Sequence, residues 1–227
     1  MFYLIHGDDG VNSRLKATQL LSKSKITGVD GKNLSVKIFE ELTKSSSLFA
    51  EPNSLLVENF FLKNKLKKEI VEYLNASSIT KNIVFWEDGV VRKTTFANFK
   101  EVRVLEYSLP KNYFAFLDSL APQNAKRSRQ LFQELLASYA PEQLFYSLIK
   151  RIRQLIVLKE GNAHKVKETA KMASWQLDRL QGQAAKWPTG ALQKFYASLH
   201  AIEIKLKSGA LPMELSKQLD VLLLGKT

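Results

Sequence analysis

Apolar residues change their rhythm midway along the chain. In the first 110 positions, short apolar runs alternate with helical patterns. Phe2-Tyr3-Leu4-Ile5 is a compact aromatic and branched run closed by Gly7 and Gly10, as a buried strand would be. Residues 11–22 follow, with Leu15, Ala17, Leu20 and Leu21 at helical spacing. Residues 35–39 alternate like a strand, and 54–58 predict another. Leu66, Ile70, Val71 and Leu74 give 63–74 one apolar side, so a helix is expected there. Residues 82–88 form the strongest strand pattern; 92–100 predict a short helix and 102–106 a last strand. Strands separated by helices require crossover connections, which imply a mostly parallel sheet covered on both faces.

From Asn112 the strand pattern stops. Residues 113–120, 125–139, 141–159, 165–172, 176–186, 189–207 and 213–224 all carry helical periodicity. Pro122, Pro141, Gly161, Pro188, Gly209 and Pro212 punctuate them where helices would end or begin. The expected fold class is therefore α/β plus all-α: an α/β domain over residues 1–110 and a helical bundle over 111–227.

Composition narrows the chemistry more than the fold. The chain has 227 residues, 45% of them hydrophobic and 25% charged, which excludes wholesale disorder. Its net charge is +12, and the excess is uneven. Residues 1–110 hold 16 basic and 13 acidic side chains, net +3, whereas 111–227 hold 18 and 9, net +9. Such an excess bears on partners: nucleic acid, an anionic membrane or an acidic protein. With no cysteine there is no disulfide, thiolate zinc site or thiol nucleophile, and His6, His164 and His200 are too scattered for a metal cluster. No run reaches the ~18 apolar residues of a membrane span. The opening residues lack the basic stretch of a secretion signal, so a cytoplasmic protein without membrane contact is expected.

The turn after the first strand, Gly7-Asp8-Asp9-Gly10-Val11-Asn12-Ser13-Arg14, lies where an α/β nucleotide site would sit. A phosphate-binding loop needs Gly-x-x-x-x-Gly-Lys-Ser/Thr, with backbone N–H groups and a lysine around the phosphates. Here two carboxylates stand in the way, and Lys16 lies well inside the following helix. Asp8 or Asp9 suits the helix N-terminus better than a phosphate does. Trp86-Glu87-Asp88-Gly89 could offer metal-binding carboxylates at a strand end, but without a phosphate loop it reads as turn chemistry. His6 has no serine or cysteine to activate. Neither a catalytic residue nor a metal ligand nor a cofactor is expected.

Two other features could carry function. Ser47-Leu48-Phe49-Ala50 sets an apolar pair after a serine run, either tucked under the sheet or protruding as an anchor for a partner's pocket. Lys126, Arg127 and Arg129, and Lys150, Arg151 and Arg153, are basic clusters on expected helices, either a solvated face or contacts to DNA phosphates.

The order of these features resembles one family, the delta subunit of bacterial DNA polymerase III. Tyr3-Leu4-Ile5-His6-Gly7-Asp8-Asp9 is similar to its first strand and degenerate nucleotide turn. Ser47-Leu48-Phe49-Ala50 with Asn53-Ser54-Leu55-Leu56-Val57 resembles its clamp-contacting segment and the strand behind it. Ile149-Lys150-Arg151-Ile152-Arg153-Gln154-Leu155 resembles a collar helix, and Leu199 to Gly209, with the trailing Leu211-Pro212, the close of that collar. His200 and Glu203 stand near where the family often has an acidic residue, so that helix is not matched position for position.

The resemblance implies an AAA+-like parallel-sheet domain without a working P-loop, followed by a helical collar. It implies a non-ATPase subunit of the DNA polymerase III holoenzyme that binds and opens the sliding clamp (beta) during replication, with Leu48 and Phe49, after Ser47, in the clamp pocket. The collar would join it to the other clamp-loader subunits, gamma/tau and delta prime, near primed DNA. A basic DNA-binding accessory module without clamp opening is the alternative. Family members usually carry a helical lid between the two domains, and this chain runs from the 102–106 strand directly into the first collar helix.

Overall fold

A computed structural model describes residues 1–22, 24–44, 53–163, 167–170 and 172–225. They form two compact units, Met1–Leu109 and Pro110–Thr227.

The first unit contains β1 (Phe2–His6), α1 (Gly10–Leu21), β2 (Lys25–Asp30), α2 (Val36–Lys44), β3 (Asn53–Glu58), α3 (Phe60–Lys63), α4 (Lys67–Ala76), β4 (Ile83–Trp86), α5 (Lys93–Phe96) and β5 (Val102–Glu106). The five strands make one sheet in the order β2-β3-β4-β1-β5. Every pairing is parallel, with Leu4 opposite Phe85 and Val104, and Val57 opposite Phe85 and Val29. This is the parallel-sheet domain expected from the sequence.

The pleat sends alternate side chains to opposite faces. Leu4, Leu55, Val57, Ile83 and Phe85 meet Phe39 of α2, Phe60 and Phe61 of α3, and Ile70, Val71 and Leu74 of α4. Ile5, Leu56 and Val84 meet Ala17 and Leu21 of α1 on the other face. Phe85 stacks on Phe39 and lies against Phe60, Phe61 and Phe99, so the strongest predicted strand is also the centre of the larger core.

Three local features differ from the sequence pattern. Residues 35–39 are not a strand: Ser35 Oγ accepts from the Ile38 N–H at 3.3 Å, and α2 begins at Val36. Phe39 is buried while Val36 and Leu42 pack against the same core, a helical rather than alternating spacing. Residues 25–30, which carry no strand pattern, pair with β3 as an edge strand whose side chains are nearly all exposed. Within the stretch expected to be helical from 63, buried Asn64 interrupts the backbone. Its Nδ2 donates to Gly31 O at 2.5 Å and Leu34 O at 2.9 Å, and its Oδ1 accepts from Leu66 N at 2.6 Å.

Residues 107–110 alone separate β5 from the second unit's first helix, so no lid lies between them. That unit is helical among its described residues: α6 (Lys111–Ser119), α7 (Ala125–Leu135), α8 (Pro141–Lys159), α9 (Lys167–Ala170), α10 (Ser174–Ala185), α11 (Ala191–Lys207) and α12 (Leu215–Leu224). Pro141 opens α8, and Gly209, at φ 68°, follows the C-cap of α11. The core is built from Phe116, Phe132, Phe145, Leu148, Ile152, Leu192, Leu199 and Leu219, all essentially inaccessible.

Polar ties then close the helix ends. Buried Gln183 donates to Leu117 O at 2.7 Å and Leu120 O at 3.0 Å, and Trp187 Nε1 donates to Leu120 O at 3.1 Å. These carbonyls at the end of α6 have no partner within their own helix.

Candidate functional site

The turn after β1 is filled by the protein's own groups. Asp9 caps α1, its Oδ1 accepting from Asn12 N at 3.1 Å and its Oδ2 from Asn12 Nδ2 at 2.7 Å. A carboxylate thus already occupies the electropositive helix end where a phosphate would bind. Residues following β5 close over the same turn: Asp9 N donates to Tyr107 O at 3.1 Å, and Leu109 N donates to Asp8 Oδ1 at 2.6 Å. Gly7, at φ 139°, donates to Gly89 O at 3.0 Å and has the Tyr107 carbonyl where a Cβ would stand.

Glu87 is not turn chemistry, as the sequence suggested, but a buried tie. Its Oε1 accepts from Phe61 N at 2.7 Å and its Oε2 from Leu62 N at 3.0 Å, so it caps α3 from the end of β4. Burial pushes its carboxyl up to about 7, against these amide bonds and the Lys63 charge, which favour the ionised form. His6 is also buried, and burial lowers its pKa; Nδ1 accepts from Val91 N at 3.4 Å, as a neutral ring can. Arg14 lies 4.7 Å over the Trp86 ring and pairs with Glu58 at 2.6 Å. Among the described residues, no group of three or more His, Asp or Glu side chains could hold a metal ion.

Ser47, Leu48 and Phe49 lie outside the described residues, as does His164. What is described is the frame on either side. The last turn of α2 carries Leu42 and Thr43, and the chain returns in β3 beside β2 and β4. Lys81 Nζ donates to Leu42 O at 2.7 Å, Thr43 Oγ1 lies 3.3 Å from the Tyr73 hydroxyl, and Leu55 N donates to Asn82 O at 3.0 Å.

The six basic residues read as DNA-contacting fall into different settings. Lys126 and Arg127 on α7 and Lys150 and Arg153 on α8 are exposed. Arg129 is exposed too, but its Nε donates to both carboxylate oxygens of Asp220 at 2.9 Å, and Gln133 joins Asp220 at 2.6 Å. Arg151 stands apart. Its side chain keeps 12% of its accessible surface, and Nη1 donates to Asp118 Oδ1 and Gln183 Oε1, both at 3.1 Å. Arg179 binds the other oxygen of Asp118. Desolvation lowers the Arg151 pKa while Asp118 raises it, leaving a guanidinium spent on an internal ion pair rather than displayed to solvent.

Sequence reading missed three of these ties. Arg151 lies three residues after Leu148 and four before Leu155, both buried, which places it beside the apolar stripe of α8. That spacing was available as a signal. Glu87 follows an apolar strand and gave no sign of its partners, because Phe61 and Leu62 contribute only backbone N–H groups. Lys81 was equally silent, its acceptor being a carbonyl 39 residues away.

The family model described as "DNA polymerase III delta subunit, C-terminal domain" matches residues 110–224. Compared with curated proteins by sequence, the chain has no match. Among solved structures, the Bacillus subtilis DNA clamp loader delta protein is similar at a TM-score of 0.48 and 12% identity. That alignment covers 98% of this chain and 94% of the other.

Proposed function

Because the chain belongs to the DNA polymerase III delta subunit family, we propose that it binds the sliding clamp and holds one of its interfaces open within the clamp loader. Leu48 and Phe49, after Ser47, enter an apolar pocket of the clamp. Opening is stabilisation of one clamp conformation by differential binding, with no covalent step. Burying two such side chains supplies about 3–6 kcal/mol before ordering costs are subtracted.

The observation that carries the non-catalytic part of this reading is the closed turn after β1. Asp9, Tyr107 and Leu109 occupy the phosphate position with protein groups, so ATP work falls to partner subunits. The helical unit acts as the collar joining gamma/tau and delta prime, close to primed DNA, in the cytoplasm. No helix among the described residues is long and apolar enough to cross a membrane.

Exposed Lys126, Arg127, Lys150 and Arg153 favour a second reading, in which the helical unit itself holds DNA phosphates. Fluorophores placed across one interface of the cognate clamp test the first. Adding the chain without nucleotide separates the fluorophores if it opens the ring; binding without separation leaves an accessory role alone.

A further inference from the structure

β2 is the outermost strand on one side of the sheet and pairs along its whole length with β3. Backbone groups of a strand point alternately to its two sides, so half of those in β2 face away from β3. None of these outward N–H and C=O groups has a partner among the described residues. The side chains leave the edge equally open. Lys25, Ile26, Thr27, Gly28 and Asp30 are exposed, and only Val29 packs in part against the larger core. Charge stands at the two ends of the strand, and Ile26-Thr27-Gly28-Val29 between them carries none. At the other edge of the sheet, β5 has exposed Arg103 within the strand, a device that discourages edge pairing.

Strand geometry selects the occupant of the open edge. Thr27 lies beside Leu55 and Val29 beside Val57, so Lys25, Thr27 and Val29 share the face of the larger core. Ile26, Gly28 and Asp30 share the opposite face. Opposed residues in an antiparallel pair point to the same face, so a two-fold pair of identical strands must match like faces. Centred on Thr27, a second copy of β2 sets Thr27 against Thr27, Lys25 against Val29 and Ile26 against Gly28. A Cβ built on Gly28 meets nothing within 4 Å, which leaves room there for the Ile26 side chain of the second copy. The Thr–Thr pair is a favourable cross-strand contact. Lys25 meets Val29 rather than its own copy, and Asp30 falls opposite Ser24, so no like charges are opposed.

We infer that β2 is a self-association surface: two copies of this chain pair edge to edge, antiparallel about a two-fold axis at Thr27, and their sheets become one. The pairing satisfies both open edges at once and closes the assembly at two chains. A six-residue edge buries little area, so the association is weak and concentration-dependent. It does not depend on the clamp reading.

Sedimentation equilibrium of the whole chain tests this. The average mass should rise from that of one chain towards that of two between about 1 μM and about 500 μM. Thr27→Lys sets two ammonium groups opposite each other and should weaken association by about 10-fold or more, and Thr27→Glu should do the same. Thr27 is exposed, so both variants should keep the circular dichroism and unfolding midpoint of wild type. Mixed in equal amounts, the two variants should associate with each other at least as tightly as wild type, because the register puts lysine against glutamate. A wild type that stays monomeric over that range would overturn the inference. Undiminished association in Thr27→Lys would overturn it as well, as would a mixture of the two folded variants that remains monomeric.

Discussion

The carbonyl of Tyr107 occupies the space a side chain on Gly7 would need. This contact pins the start of the turn after β1 beneath the chain that leaves β5. A Cβ there meets backbone rather than a movable side chain, and Gly7 also sits at a positive φ of 139°. Gly7→Ala should therefore cost about 3 kcal/mol or more, read by urea unfolding. A loss under about 0.5 kcal/mol would mean that the strap over the turn yields easily.

The same strap predicts that ATP does not bind. Asp9 caps α1 and Leu109 N is spent on Asp8, so the turn offers a phosphate two carboxylates and few open donors. Titration calorimetry with magnesium-ATP should show no heat above dilution. Saturable binding would contradict the assignment of ATP work to partner subunits.

Glu87 should make stability depend on pH in a definite direction. Its folded-state pKa, about 7, lies above the ordinary 4.5, so the folded form holds the proton more tightly. That contribution is complete below pH 4.5 and is lost as pH rises through 7, with a ceiling of about 3 kcal/mol. Glu87→Gln cannot titrate. The stability difference between wild type and variant should move in the variant's favour from pH 4 to pH 8. Parallel profiles would show that the buried carboxyl ionises freely.

Arg151 and its basic neighbours should separate stability from DNA affinity. Arg151→Ala leaves Asp118 with Arg179 as its remaining ion pair and takes the Arg151 donor from Gln183 Oε1, and should cost about 1–3 kcal/mol. Lys126→Ala, Arg127→Ala and Lys150→Ala should change stability by no more than about 0.5 kcal/mol. If the helical unit holds DNA, each of those three that contacts a phosphate should lower the salt slope of binding by about 1. A slope of zero in wild type would leave the charge with no DNA role.

The sequence was most legible where burial imposes a period. Leu4, Leu55, Val57 and Phe85 announced their strands because the sheet is covered on both faces. The helices of the second unit were readable from proline and glycine punctuation. β2 was not, because an edge strand with exposed side chains has no buried face to pattern it. Val36 and Ile38 imitated a strand over a window too short to show that Phe39 and Leu42 continue at helical spacing. At the candidate site, the failed phosphate loop was legible from Asp8 and Asp9, but its closure by Tyr107 and Leu109 was not. Backbone groups about 100 residues away leave no residue-type signature. Arg151 was misplaced because three basic residues, Lys150, Arg151 and Arg153, flank buried Ile152 and look equally surface-facing until helical phase is applied.

The most direct measurement is the affinity of the whole chain for its cognate sliding clamp, with and without Leu48 and Phe49. Removing two buried apolar side chains worth about 3–6 kcal/mol should weaken binding by about 10²- to 10⁴-fold, with the far-ultraviolet circular dichroism and unfolding midpoint of the Leu48→Ala/Phe49→Ala variant unchanged. A well-folded double variant that binds the clamp as tightly as wild type would contradict the account.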